Sequence, residues 1–217
     1  MTRTRDYFDS HAHMFDRLYE GPGVAVWPSS VNVLAFRASP RRAFERRRQL
    51  AVSVVTRHPG GDVLDVGCGS GRIGEAVIVA GADGYVGIDL SSQMLALARR
   101  RLAGFDSVKL IEGDFLDVDL PRTFDVVLAL GLFDYLADPA RAAAWLRARC
   151  DSTLVASFTR WDWVKAPLRH FHYEVVHRCP IFDYTETRAQ ELLGGAGFSS
   201  LEFPYRGPRG FFVLASP

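Results

Sequence analysis

The chain of 217 residues is long enough for one α/β domain with a full hydrophobic core. Its 48% hydrophobic and 24% charged residues exclude long disorder, and a formal net charge of +1 gives no reason to expect nucleic acid or an anionic membrane as a partner. The three cysteines show neither a disulfide nor a zinc pattern and no apolar run is long enough to cross a bilayer, so we expect a reducing, cytoplasmic setting.

Residues 1–58 are predicted to form an N-terminal helical cap. Aromatic and apolar residues recur at helical spacing over 4–20, which predicts a first helix. Ser39-Pro40 is typical of a helix start and predicts a second helix that runs to the end of the cap. The arginine-rich run 37–48 is interpreted as the solvated outer face of that helix.

From residue 59 to 217 the pattern changes to short apolar runs that alternate with amphipathic helices, which is typical of βαβ units. The predicted strands are 63–66, 85–88, 108–111, 126–130, 153–158, 199–205 and 210–215, and the predicted helices are 71–81, 91–104, 138–149 and 185–196. Continuous apolar strands are buried on both faces. We therefore predict a doubly wound, mostly parallel seven-stranded sheet of Rossmann-like α/β type, with an antiparallel C-terminal hairpin and the helical cap in one domain.

A glycine-rich turn follows the first predicted strand and reads Asp65-Val66-Gly67-Cys68-Gly69-Ser70-Gly71. In a parallel sheet, ligands bind beyond the carboxyl ends of the strands, and alternate glycines let a ligand lie against the backbone. The glycines Gly69, Gly71 and Gly74 also satisfy the dinucleotide fingerprint, so a nicotinamide-dependent oxidoreductase is an alternative.

Acidic residues near the ends of three strands discriminate between these ligands. Asp65 can receive an ammonium group but would repel a pyrophosphate, and Asp89 can accept hydrogen bonds from both ribose hydroxyls. Asp114 offers an acceptor to an adenine amino group, and Phe115 offers an aromatic face. Together they match an amino acid, a ribose and an adenine in one molecule, which is S-adenosylmethionine.

The segments VLDVGCGSG, GIDLSSQML, GDF and FDVVLALGLFDYLAD together resemble the motifs of the class I S-adenosylmethionine-dependent methyltransferases. The resemblance covers roughly residues 50–217. It implies a methyltransferase with S-adenosylmethionine as donor and S-adenosylhomocysteine (SAH) as product. The expected cofactor-binding residues are Asp65, Gly67, Gly69, Gly71, Asp89, Leu90, Asp114, Phe115, Leu130 and Gly131.

The start of the chain is similar to magnesium-protoporphyrin methyltransferases and ubiquinone-pathway O-methyltransferases. The porphyrin enzymes carry a His-Tyr pair after the fourth strand, where this chain has Asp134-Tyr135. This leaves Asp134 as the candidate acid or base. The candidate catalytic residues are Asp134, Tyr7 and His11, and the candidate substrate-binding residues are Tyr19, Tyr135, Trp161, His170 and Tyr173. The last three of these lie in a predicted substrate-wall segment at about 159–184.

We therefore expect methyl transfer to an oxygen of a small apolar or aromatic acceptor, with no nucleic acid partner. An N- or C-methyltransferase of a small molecule is an alternative, as is a binding module that has lost its activity. No Asn-Pro-Pro-Tyr-type tetrapeptide follows the fourth strand, which weakens amino groups of nucleic acid or protein as targets. On a helix, residues two apart point in different directions, so His11 and His13 cannot bind one metal ion together. No carboxylate-rich site accompanies His170-x-His172, so no metal is expected.

Overall fold

The computed structural model describes residues 2–18, 33–161, 170–176 and 178–217. The strands of the described chain are β1 Asp62–Val66, β2 Gly84–Asp89, β3 Val108–Glu112, β4 Phe124–Leu130, β5 Cys150–Thr159, β6 Ser200–Gly207 and β7 Gly210–Ser216. They form a seven-stranded sheet in the order β3-β2-β1-β4-β5-β7-β6. Strands β1 to β5 are parallel, whereas β7 is antiparallel to both β5 and β6. The predicted fold class is confirmed.

Helices flank this sheet within the described chain. They are α1 Thr2–Leu18, α2 Val33–Val55, α3 Arg72–Val79, α4 Ser92–Arg101, α5 Pro139–Arg147 and α6 Glu186–Gly195. Shorter turns are 3-10 helices at Phe115–Asp117 and Phe133–Tyr135 and a π-helical turn at Phe171–Val176. The predicted start of α2 at Ser39-Pro40 is wrong, because the helix already begins at Val33. A proline removes one hydrogen bond from a helix interior, and here the helix continues through it.

Side chains that alternate along the central strands build a core on each face of the sheet. Leu64 and Val127 belong to one core, whereas Val63 and Val126 belong to the other. Successive side chains of a strand point to opposite faces, so a run of consecutive apolar residues fills both cores at once. This explains why the parallel strands read as continuous apolar runs in the sequence.

The strand order reverses between β1 and β4, which leaves a cleft at the carboxyl edge of the sheet. The ends of β2 and β4 therefore flank the end of β1, and the turns after these strands face a shared edge. Among the described helices, none combines the length and the apolar character that a membrane span requires. The division into a cap at 1–58 and a core at 59–217 remains a prediction.

Candidate functional site

The turn between β1 and α3 forms an open backbone surface at the carboxyl edge. Gly67, Gly69 and Gly71 have φ angles of 77°, 56° and 76°. A Cβ added at Gly69 would meet no heavy atom of the described residues within 4 Å. The amides of Gly67 and Cys68 donate to the carbonyl oxygen of Ile88 at 2.8 and 3.1 Å, which fixes the turn against β2. The backbone at Gly69 is thus open on the side where a side chain would lie, and ligand binding there stays a prediction.

Asp65 lies at the inner end of this turn and is only 2% exposed. The hydroxyl of Tyr85 donates to its Oδ2 at 2.8 Å. Burial raises the pKa of Asp65 to about 7, with a further increase from the charge of Asp89, although the hydrogen bond from Tyr85 opposes both. A cation brought to this carboxyl would therefore stabilise its ionised form.

Tyr85 is the hydrogen-bond partner of Asp65, and the sequence reasoning missed it. Its ring packs over α3, because a Cβ added at Gly74 would lie 2.5 Å from its Cζ. The available signal was a tyrosine in an otherwise apolar strand, since a buried phenol hydroxyl needs a hydrogen-bond partner. The sequence does not identify Asp65 as the acceptor of this hydroxyl.

Asp89 ends β2 and connects the glycine-rich turn to α4. Its Oδ2 accepts the amide of Gly69 at 2.8 Å, and its Oδ1 accepts the amide of Ser91 at 2.8 Å. Burial raises the pKa of Asp89, and the charge of Asp9 adds to this, against the lowering effect of the backbone hydrogen bonds. Leu90, which follows it, is half-buried. The carboxylate is therefore positioned by backbone groups at the edge where a ribose is expected.

Asp114 and Phe115 follow β3, and their side chains have different surroundings. The amide of Gly113 donates to the carbonyl oxygen of Asp89 at 3.0 Å, which holds this segment beside β2. The Oδ1 of Asp114 accepts the amide of Leu116 at 3.1 Å. Phe115 differs from the expectation of an aromatic face for adenine, because it is 4% exposed and packs edge-on against Trp145 in the core.

The segment after β4 begins with a buried leucine. Leu130 is 9% exposed and packs among core residues, and its place beside the methionine part of the donor stays a prediction. The amide of Gly131 donates to the hydroxyl of Ser157 at 2.8 Å. Leu132 approaches the glycine-rich turn, with its Cδ1 3.5 Å from the position of a Cβ at Gly67.

Helix α1 is attached to the glycine-rich turn and to α4 through two carboxylates that the sequence analysis did not single out. Asp9 accepts the hydroxyl of Ser91 at 2.6 Å. Asp16 is buried and accepts hydrogen bonds from Ser70, Arg72 and Arg101. Acidic residues on a helix are usually solvated, and the spacing of Asp9 and Asp16 in the sequence does not indicate that they contact other elements. The helix thus lies across two elements of the candidate cofactor site.

Four rings from three separate segments converge beside this site, and we call them the aromatic cluster: Tyr7, Phe8, Tyr135 and Tyr173. The ring centroids of Tyr7 and Tyr173 are 5.3 Å apart, those of Phe8 and Tyr135 are 5.1 Å apart, and those of Tyr135 and Tyr173 are 6.4 Å apart. Burial, together with the neighbouring Tyr173 and Asp134, raises the pKa of Tyr135 well above its usual value. At neutral pH Tyr135 is therefore a protonated hydrogen-bond donor.

His11 stacks beside this cluster, with its ring centroid 4.7 Å from that of Tyr7. Its Nδ1 lies 2.9 Å from the carbonyl oxygen of Tyr7 and 2.8 Å from the hydroxyl of Ser10. A carbonyl oxygen can only accept, so we assign the proton of the neutral imidazole to Nδ1. Nε2 is then the nitrogen that can accept a proton.

Asp134 has a geometry that differs from that of an acid or base. It is 8% exposed, and its Oδ1 accepts the amide of Thr159 at 3.0 Å while its Oδ2 accepts the hydroxyl of Thr159 at 2.7 Å. Its carbonyl oxygen accepts the amide of Phe182 at 2.8 Å. Asp134 thereby joins the turn after β4 to the end of β5, which is a positioning arrangement.

The predicted wall residues outside the aromatic cluster form a second group. Trp161 is 40% exposed, and its ring centroid lies 5.3 Å from that of His170. The Nδ1 of His170 is 3.0 Å from Glu174, and its Nε2 is 2.6 Å from Asp183. These contacts hold the histidine between two carboxylates. Tyr19 lies outside the described residues.

A family model described as a methyltransferase domain matches residues 63–178, which is more than half of the chain. The chain belongs to this methyltransferase domain family. An uncharacterized methyltransferase of Bacillus cytotoxicus is 27% identical over 143 residues, which cover 66% of this chain and 59% of that relative. The chain thus matches less than two thirds of the relative's length. The resemblance to methyltransferases is confirmed.

Two solved structures show the same fold. The magnesium protoporphyrin IX methyltransferase of Synechocystis with bound SAH has a TM-score of 0.76 at 19% identity, over 99% of this chain and 98% of that chain. The N-methyltransferase NodS of Bradyrhizobium japonicum has a TM-score of 0.61 at 15% identity, over 82% of this chain and 97% of that chain. At these identities the similarity concerns the fold, which therefore does not select the acceptor atom.

Proposed function

We propose that this methyltransferase family member transfers the methyl group of S-adenosylmethionine to an oxygen of a small apolar or aromatic acceptor. The observation that carries the proposal is the convergence of the aromatic cluster beside the glycine-rich turn. Helix α1 contributes to both, because it carries Tyr7 and Phe8 and also binds Ser70 and Ser91 through Asp16 and Asp9.

The donor side of the site fits S-adenosylmethionine. The open backbone at Gly69 can accommodate the nucleoside, Asp89 can accept its ribose hydroxyls, and Asp65 can receive its ammonium group. Asp114 is proposed to accept the adenine amino group. The bound donor would supply a methyl group made electrophilic by the sulfonium. The relatives named as methyltransferases and the solved neighbour with bound SAH support this choice.

The acceptor side favours a planar molecule with a hydroxyl group. Aromatic walls bind apolar and planar ligands, and the protonated Tyr135 can donate a hydrogen bond to an acceptor oxygen. A hydroxyl nucleophile must lose its proton, and His11 offers Nε2 for this purpose beside Tyr7. An amine that arrives neutral needs no such base. This difference favours oxygen over nitrogen as the acceptor atom.

Calorimetry and product analysis test the two parts separately. The protein should bind SAH with micromolar affinity and should not bind NAD. With S-adenosylmethionine labelled in its methyl group, mass spectrometry should then detect transfer to aromatic hydroxyl compounds in a panel that also contains aromatic amines. Binding of NAD without SAH would contradict the donor, and transfer to the amines alone would contradict the acceptor atom.

A further inference from the structure

Tyr173 reaches the aromatic cluster from the π-helical turn at Phe171–Val176. Its ring contacts those of Tyr7 and Tyr135, at centroid distances of 5.3 and 6.4 Å. Turns of this kind are rare, and they frequently lie at functional sites. The position of the Tyr173 ring therefore depends on the contacts that hold a short and unusual turn in place.

The chain leaves this turn in a strained backbone conformation. Arg178 is the one residue other than glycine in the described chain with a positive φ, of 53°. A residue with a side chain rarely adopts this left-handed conformation, which persists only where surrounding contacts impose it. Directly after it, the amide of the buried Cys179 donates to the carbonyl oxygen of Tyr173 at 2.9 Å. Other contacts of the turn must therefore offset the strain.

His170 immediately precedes the turn and lies between two carboxylates. Its Nε2 is 2.6 Å from the Oδ2 of Asp183, and its Nδ1 is 3.0 Å from the Oε1 of Glu174. Ionised carboxylates only accept hydrogen bonds, so the ring nitrogens of His170 are the donors. The side chain of Asp183 is 9% exposed, against 46% for Glu174. Exposed ion pairs contribute little, so the contact with Asp183 is the one that can hold the turn.

Asp183 belongs to a stretch of chain that is itself bonded to the turn after β4. The amide of its neighbour Phe182 donates to the carbonyl oxygen of Asp134 at 2.8 Å. Asp134 immediately precedes Tyr135, another ring of the aromatic cluster. The contact between His170 and Asp183 therefore joins the π-helical turn to the segment that supplies a second ring of the cluster.

We propose that His170 is a positioning residue of the acceptor site. Its contact with Asp183 holds the π-helical turn so that the ring of Tyr173 completes the aromatic cluster. This inference rests on the proposed function, because it takes the cluster as the site of the acceptor. It gives His170 an indirect role, since both of its ring nitrogens already contact carboxylates of the chain. His170 then acts on the acceptor only through Tyr173.

Fluorine NMR of the protein labelled with meta-fluorotyrosine tests the position of Tyr173 directly. Tyr173→Phe assigns the resonance by removing it. His170→Phe keeps a ring beside Trp161 but removes both donors, so the Tyr173 resonance should shift towards that of a solvent-exposed tyrosine. Asp183→Asn should shift it in the same direction. His170→Gln, which keeps a donor for Asp183, should retain most of the parent position.

The affinity for a planar aromatic alcohol tests the consequence for the acceptor site. We expect His170→Phe to weaken the binding of β-naphthol to the SAH-bound protein by about three- to tenfold, the effect of one lost aromatic contact. The affinity for SAH in calorimetry should not change. When Tyr173→Ala is already present, His170→Phe should cause no further loss of β-naphthol affinity.

A second histidine provides the matched control. The Nε2 of His58 lies 3.3 Å from the hydroxyl of Thr153, near the start of β5 and thus at the opposite edge of the sheet from the cluster. His58→Phe should change neither the Tyr173 resonance nor the affinities for β-naphthol and SAH.

The outcomes separate this inference from the function on which it rests. An unmoved Tyr173 resonance in both His170→Phe and Asp183→Asn would exclude the positioning role. A further loss of β-naphthol affinity when His170→Phe is added to Tyr173→Ala would show that His170 contacts the acceptor itself. An equal loss of SAH affinity would assign His170 a general structural role. Each of these results overturns the inference alone, whereas a parent protein whose SAH complex binds neither β-naphthol nor another hydroxyl compound of the panel would overturn the proposed function as well.

Discussion

Asp16 of helix α1 accepts a hydrogen bond from the hydroxyl of Ser70 at 2.7 Å, and this contact joins the N-terminal helix to the glycine-rich turn. The same carboxylate accepts from the Nε of Arg72 at 2.8 Å and from the Nη2 of Arg101 at 3.1 Å. Burial alone would raise the pKa of Asp16, but the hydrogen bonds from Ser70 and Arg72 and the charge of Arg101 lower it below its usual value. One carboxylate thus connects α1, the turn and α4.

Asp16→Ala should therefore destabilise the protein and weaken donor binding together. Removal of one partner from a largely buried ionic group lowers the free energy of unfolding by about 3 kcal/mol. Because the pKa of Asp16 is lowered on folding, its contribution is present above its unfolded pKa of 3.8 and is lost as the pH falls through the lower folded value. Urea unfolding at several pH values measures this. Asp6→Ala on the exposed side of the same helix is the control, and equal effects of the two variants would contradict the prediction.

Asp65→Asn should stabilise the protein in alkaline solution. Folding raises the pKa of Asp65 from 3.8 to about 7, so its stabilising contribution is complete below pH 3.8 and is lost as the pH rises through about 7. Asparagine has no charge to bury and keeps an acceptor for Tyr85. The gain in free energy of unfolding should be larger at pH 8 than at pH 5 by on the order of 2 kcal/mol. Asp83→Asn at an exposed position should give no such dependence, and a pH-independent effect at Asp65 would be evidence against the raised pKa.

Asp65→Asn should also abolish the pH dependence of SAH binding that we expect for the parent protein. An ammonium group binds the ionised form of Asp65, so the affinity of the parent protein for SAH should increase between pH 5.5 and pH 7, by up to about tenfold per pH unit if one proton is released. Asp65→Asn should bind SAH more weakly, and its affinity should be nearly constant over this range. Calorimetry in buffers of different ionisation enthalpy measures the released proton directly. A steep pH dependence that persists in the variant would exclude Asp65 as its source.

Asp89→Ala should weaken SAH binding through the ribose. Each hydrogen bond lost from a charged acceptor costs about 1.5–3 kcal/mol. Part of the loss will come from the turn, because Asp89 also accepts the amides of Gly69 and Ser91. An SAH analogue without the ribose 2′-hydroxyl isolates the ligand contact, since the variant should affect its binding less than that of SAH. If both ligands lose the same affinity, Asp89 acts on the turn alone.

Asp134→Asn and Thr159→Val should have similar, non-additive effects. Thr159→Val removes the hydroxyl that donates to Oδ2 of Asp134, and Asp134→Asn can remove the accepting oxygen of that same bond, whereas the bond from the backbone amide of Thr159 can persist in both variants. The double variant should therefore lose less free energy of unfolding than the sum of the single variants. Unfolding and kcat should be measured for all three. A large loss of kcat in Asp134→Asn with near-normal activity in Thr159→Val would instead support the original interpretation of Asp134 as a base.

His11→Gln should lower kcat for a hydroxyl acceptor and leave SAH affinity unchanged. Loss of a general base typically lowers the rate by about 10²–10⁴-fold. His13→Gln, an exposed histidine on the same helix, is the matched control. The rate with an amine acceptor, if one is found, should respond less to His11→Gln. Equal losses with both acceptors would indicate that His11 positions α1 and does not remove a proton.

The sequence alone determined the fold class and the family, because both depend on local patterns. Continuous apolar runs predict strands that are buried on both faces, as in β4, and the glycine spacing at Gly67–Gly71 predicts the turn that follows β1. The candidate carboxylates Asp65 and Asp89 were singled out for the same reason, since Asp65 is the last but one residue of β1 and Asp89 is the last residue of β2. The residue-level roles in donor and acceptor binding remain predictions.

Only the tertiary structure decided which side chains meet at the site. Within one arginine run, Arg46, Arg47 and Arg48 have the same chemistry, and only the packing of α2 across the end of β4 directs Arg47 to Gly131. The partnership of Tyr85 with Asp65 likewise depends on contacts between separate strands. A sequence pattern specifies which face of a helix or strand is buried. The residues that this face contacts depend on how elements distant in the sequence pack, and local spacing contains no information about that packing.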